Sequence, residues 1–84
     1  MNDNEILREQ LDEIVNNQLK NNDPPETKET YDRLIKEGYD DSQVRQMIGS
    51  CVAVEIYQVL KSGEPYNNDR YIRNLNKLPQ EPGE

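Results

Sequence analysis

Residues 39–63 read YDDSQVRQMIGSCVAVEIYQVLKSG, and this stretch decides the fold. Asp40 stands three residues before Gln43, and Tyr39 five before Val44. Those are the spacings of a capping box and of a hydrophobic staple at the start of a helix. Gly63 supplies the residue type that ends a helix in the left-handed conformation, so the spacing predicts a helix from Asp41 to Ser62. From Val44 to Gly63 only Arg45, Glu55 and Lys61 carry charge, and none lies between Gln46 and Val54. At about 100° per residue, Ile48, Val52, Ile56, Val59 and Leu60 fall on one flank of Val44, with Met47, Cys51 and Val54 on the other. The combined apolar arc is about 240° wide, more than one neighbouring helix covers. This helix is therefore the expected centre of the molecule, buried by at least two internal neighbours or by a second subunit.

The flanking segments supply those neighbours. From Asp3 to Asn21, Leu7, Leu11, Ile14, Val15 and Leu19 share one side, opposite Arg8, Glu9, Asp12, Glu13, Asn16 and Lys20. That is an amphipathic helix, with Asn2 or Asp3 as its expected cap. In Asp23-Pro24-Pro25-Glu26, Asp23 reads as the next N-cap, Pro24 as the first helical residue and Glu26 as the capping-box partner. The second helix would run to Glu37, with Tyr31, Leu34 and Ile35 as a narrow apolar stripe and Gly38 ending it. After a Pro- and Asn-rich loop, Asp69 is the expected cap of a fourth helix, Arg70 to Leu78, with Tyr71, Ile72, Leu75 and Leu78 on its apolar side. Pro79 stops it. No segment alternates with period two. The expectation is an all-α fold, a small bundle of three to four helices around a central apolar helix at about 41–62. Residues 1–78 form its single domain and 79–84 a disordered tail.

Composition narrows the function classes. The chain has 84 residues, 32% of them apolar and 32% charged, with net charge −7. Leu, Ile and Val together make only 18 of the 84, which leaves little apolar surface for a core. The chain contains no His, which excludes imidazole catalysis and His-ligated metals. Its single Cys excludes an intrachain disulfide and a cysteine zinc site within one chain. No apolar run approaches membrane-spanning length, and the opening Met-Asn-Asp-Asn-Glu does not read as a secretory signal. The acidic balance argues against direct nucleic-acid binding, because phosphates require clustered Lys and Arg. No catalytic residue, cofactor site or metal site is expected; the carboxylates Glu9, Asp12, Glu13, Asp40 and Asp41 read as solvated faces or helix starts.

Four residues of the central helix stand out as candidate interface or buried polar positions. Glu55 falls within the apolar arc, about 20° from the Val44 direction. It is expected to be a partly buried carboxylate paired with Arg70, Arg73, Tyr31 or Tyr71. The alternatives are an acid with a raised pKa in a cleft, or a Glu at a subunit interface. Gly49 and Ala53, with Ser50, form a small-residue patch that suits a close helix crossing in the monomer or a dimer. Tyr57 points to the polar side and suits a protein interface. Arg70, Arg73 and Lys77 make one basic face on the fourth helix, expected to answer acids on the first two helices or to be solvated. Cys51, with no activating base, reads as an inert core thiol.

Three stretches carry a resemblance: Tyr-Asp-Arg-Leu-Ile-Lys-Glu-Gly at 31–38, Glu-Ile-Tyr-Gln-Val-Leu-Lys-Ser-Gly at 55–63 and Tyr-Ile-Arg-Asn-Leu-Asn-Lys-Leu-Pro at 71–79. With its helix, Gly, capped helix, loop and Tyr-x-x-x-Leu-x-x-Leu, the chain resembles short bacterial all-helical proteins of unknown function over about half its length. The resemblance implies a fold and no activity. Ten Asn and the lone thiol fit a bacterial, cytoplasmic protein. The expected function is a protein-protein interaction module acting as a homodimer on a protein partner, away from membranes. An acidic decoy that mimics nucleic acid toward a basic protein is the alternative, and a small enzyme using Glu55 in a helical cleft is a further one.

Overall fold

In the computed structural model, residues 3–83 are described, with side chains from Leu7 onward; the expected cap at Asn2 or Asp3 lies outside those side chains. The described residues form four helices: α1 (Asp3–Asn21), α2 (Pro25–Lys36), α3 (Asp41–Ser62) and α4 (Asn68–Lys77). The fold is all-α, and α3 packs against each of the other three. Its start is built as the spacing predicts: the Asp40 carboxylate accepts from the Gln43 backbone N–H at 2.8 Å, and the Gln43 side chain accepts from the Asp40 N–H at 3.0 Å. Tyr39 packs half-buried against the core cluster that contains Val44. At the other end Gly63, at φ +69°, closes the helix by donating to the Val59 carbonyl.

Two helix starts differ from expectation. The cap of α2 is Pro24, extended at φ −72° and ψ 151° and without a side-chain hydrogen bond; Asp23 does not cap. Pro24 precedes Pro25, and a residue before proline is driven out of the α region, so helical geometry begins only at Pro25. The cap of α4 is Asn67, whose side chain accepts from the Arg70 N–H at 3.0 Å; Asp69 lies inside the first turn. The end of α2 is one residue short of the expected Glu37, with Gly38 at φ +107° and the Tyr39 N–H returning to the Leu34 carbonyl.

The core draws on every helix: Val15 from α1, Leu34 from α2, Val44, Ile48, Cys51 and Val52 from α3, and Tyr71 and Leu75 from α4, with Leu78 just beyond. The buried face of α2 is Thr27, Thr30 and Leu34 rather than the expected stripe, since Ile35 is exposed. Thr27 is buried because it is satisfied. Its hydroxyl donates to Gln18 Oε1 at 2.7 Å, and the same oxygen accepts from the Tyr71 hydroxyl at 2.6 Å. One amide oxygen thus joins α1, α2 and α4, and a buried polar group so paired carries little desolvation penalty. Arg33 on α2 donates to the carbonyls of Leu75 and Leu78, both at 3.0 Å, satisfying the end of α4. The segment after Pro79 returns to α4, where buried Asn74 donates to the Gly83 carbonyl at 2.8 Å and accepts from its N–H at 3.2 Å.

Candidate functional site: the C-terminal end of α3

Glu55 is 1% exposed and forms the only ion pair of low exposure among the described residues. Arg70 grips both carboxylate oxygens, Nε at 2.6 Å from Oε2 and Nη2 at 2.9 Å from Oε1. The Asn67 N–H donates to Oε1 as well, at 2.9 Å. Burial alone would raise the Glu55 pKa, but the Arg70 guanidinium and the Asn67 amide outweigh it and hold the carboxyl below its ordinary value. The expected partner among Arg70, Arg73, Tyr31 and Tyr71 is therefore Arg70, and the expected alternative of a raised pKa is not met. The acid that Arg70 grips here lies on α3. The bidentate grip fixes the α3–α4 corner, because Asn67 and Arg70 are the cap and the first turn of α4.

That corner positions Tyr66. Its ring lies 5.7 Å from the Tyr71 ring at an interplanar angle of 54°, and burial raises its hydroxyl pKa above the ordinary value. Tyr66, Glu55, Ile56, Val59 and Leu60 line an apolar groove of about 270 Å³. Leu60 is 81% exposed and Val59 39%. Both belong to the arc expected to be buried, so their exposure corrects that expectation. The reason is helix length. α1 runs antiparallel to α3, with Asn16 hydrogen-bonded by Arg45, Leu11 at Gly49 and Leu7 beside Ala53. From Ala53 to Leu60 the axis advances about 10 Å at 1.5 Å per residue, whereas α1 begins only four residues before Leu7. The last turns of α3 project past their neighbour.

The four sequence-predicted positions fall into two places. Glu55 lines the groove at the α3 end. Tyr57 is exposed on the same turns, with the Lys61 ammonium 5.5 Å from its ring centroid. Gly49 and Ala53 lie away from them, on the α1 seam with Leu7 and Leu11. There the small-residue patch serves a crossing inside the monomer. A Cβ built at Gly49 meets the Leu11 Cβ at 3.9 Å, ordinary contact. Gly49→Ala is expected to gain up to about 1 kcal/mol of helix propensity, whereas Gly49→Leu overfills the seam and costs about 1–3 kcal/mol. Denaturant unfolding of both variants checks the sign; a neutral leucine would mean that α1 does not pack there.

Cys51 is fully buried and its thiol is pushed up to about 12 by that burial, so it is not a nucleophile. Among the described residues no group of three or more acids or thiols could hold a metal ion, and no helix is long and apolar enough to cross a membrane. What the α3 end offers chemically is apolar contact area beside a neutralised carboxylate. Leu60 and Tyr66 are the residues that the sequence does not mark there, the first lying within the apolar arc and the second in the Pro- and Asn-rich loop. Comparison of the chain with protein-family models, with curated proteins and with solved structures gives no match in any of the three.

Proposed function

We propose that this chain is a cytoplasmic protein-protein interaction module whose contact surface for a protein partner is the C-terminal end of α3. One observation carries the reading: the most exposed large apolar side chain, Leu60, sits in a cluster with Val59 and Tyr66 rather than singly. Scattered apolar residues need no explanation, but a contiguous exposed patch marks a contact surface. The chain is also poor in apolar residues, so leaving these in water is a loss that a partner recovers. Leu60→Glu should leave helicity and unfolding midpoint unchanged while abolishing association. A tagged pull-down with a charge-matched acidic control, run with wild type and with this variant, checks it. A partner retained equally by both forms contradicts the assignment of this surface.

The acidic-decoy reading rests on a different observation, the exposed Glu9, Asp12 and Glu13 of α1, Glu29 and Asp32 of α2, and Glu37 just past it. It requires a basic partner displaced by DNA and by salt. The apolar reading requires the reverse, since salt screens the repulsion between acidic chains and leaves apolar contact intact.

A further inference from the structure

We infer that the occupant of the α3 end is a second copy of this chain, the two ends packing about a two-fold axis; this rests on the reading of that end as the contact surface. The distribution of charge selects the partner. Residues 1–43 carry twelve acids and five bases; α1 holds five of the acids against two bases, and residues 37–43 three acids and no base, so two copies meeting through α1 or through the α2–α3 turn set like charge against like. From Glu55 to Gly63 the only charges are Glu55 and Lys61, and Glu55 is neutralised by Arg70. Two copies approach each other there without stacking their acidic faces.

The rim of the patch is also self-complementary. Lys61 in the last turn and Glu64 just past Gly63 are one charge of each sign, both exposed. A two-fold axis sets the same surface against itself, so a residue i–j contact occurs twice. Lys61 of one copy faces Glu64 of the other, two pairs around a core of Ile56, Val59, Leu60 and Tyr66. Such a patch is small beside a standard stable interface of roughly 800 Å² per partner, so the dimer forms in the micromolar range or above. Its formation strengthens with salt, because the remaining net charge on both copies repels and is screened.

Sedimentation of the purified full-length chain from low micromolar to about 1 mM tests this. Wild type is expected to pass from monomer to dimer mass as concentration rises, at lower concentration in high salt. Leu60→Glu, and Leu60→Ser as a milder second variant, should weaken the dimer at least about tenfold with the circular dichroism unchanged. Lys61→Glu and Glu64→Lys should each weaken it about threefold to tenfold, and the double swap should restore it. A double swap as weak as the singles overturns the two-fold pairing. A wild type that stays monomeric throughout overturns the second copy as occupant; if Leu60→Glu nonetheless loses a partner held by wild type, the module reading survives. A dimer indifferent to Leu60→Glu overturns both.

Discussion

Arg70→Met is expected to destabilise the fold by about 3–5 kcal/mol at neutral pH, the cost of leaving a buried carboxylate without its counter-charge. Glu55 is 1% exposed, so water cannot replace the guanidinium without opening the α3–α4 corner. Glu55→Gln should cost less, about 1–3 kcal/mol. Its amide oxygen still accepts from Asn67, and the Arg70 side chain, 12% exposed, lies closer to solvent. The two variants also differ in pH dependence. In the wild type the folded-state pKa of Glu55 lies below its unfolded value. The stabilisation is therefore complete above the unfolded pKa, about 4.3, and is lost as pH falls through the folded one. In Arg70→Met burial is opposed only by the Asn67 amide and the Arg73 charge, so the folded-state pKa of the carboxyl rises from its wild-type position. The deficit of that variant should accordingly shrink as pH is lowered toward 4 and Glu55 takes up a proton. Urea unfolding at pH 7 and near pH 4 reads both effects. A deficit that grows in acid would mean that the missing guanidinium acts elsewhere.

The second large effect separates folding from association with one residue type. Leu34, fully buried in the last turn of α2, and Leu60, 81% exposed at the end of α3, are the same side chain in opposite surroundings. Leu34→Ala should cost about 2–5 kcal/mol through lost burial and the cavity left behind. Leu60→Ala should fall within about 0.5 kcal/mol of wild type in unfolding experiments on the monomer, while weakening association. Thermal unfolding at low protein concentration, with sedimentation at high concentration, separates the two quantities. Equal destabilisation by both substitutions would mean that Leu60 is covered within the monomer.

What the sequence made legible was whatever is decided locally. The boundaries of α3 follow from Asp40, Gln43 and Gly63, whose hydrogen bonds close within one turn, and they occur as spaced. The starts of α2 and α4 were misplaced for separate reasons. At α2 the pre-proline restriction on Pro24 overrides the capping preference of Asp23. At α4 the choice between Asn67 and Asp69 is tertiary: the Asn67 N–H is held by Glu55, twelve residues earlier on another helix. Apolar periodicity did not show Thr27 and Gln18, because polar side chains enter a core only when partners from other helices meet them. Glu55 was visible as a violation of the arc, with Arg70 among its four expected partners; which of the four meets it depends on the α3–α4 corner. The exposed end of α3 was not visible, because a helical wheel gives the direction of a side chain and not how far the neighbouring helix reaches. Read along the axis instead, the same arc divides into a covered portion up to Val52 and an uncovered portion holding Val59 and Leu60.

Association through the uncovered end of α3 leaves its mark on the residues that it covers. Residue-resolved backbone amide shifts, followed by NMR as protein concentration is raised, test it most directly. Concentration-dependent shifts are expected to be confined to residues 56–62, Glu64 and Tyr66, with the exposed faces of α1 and α2 unmoved. Shifts that instead map to Glu9, Asp12 and Glu13, or to the Leu7–Gly49–Ala53 seam, would contradict it.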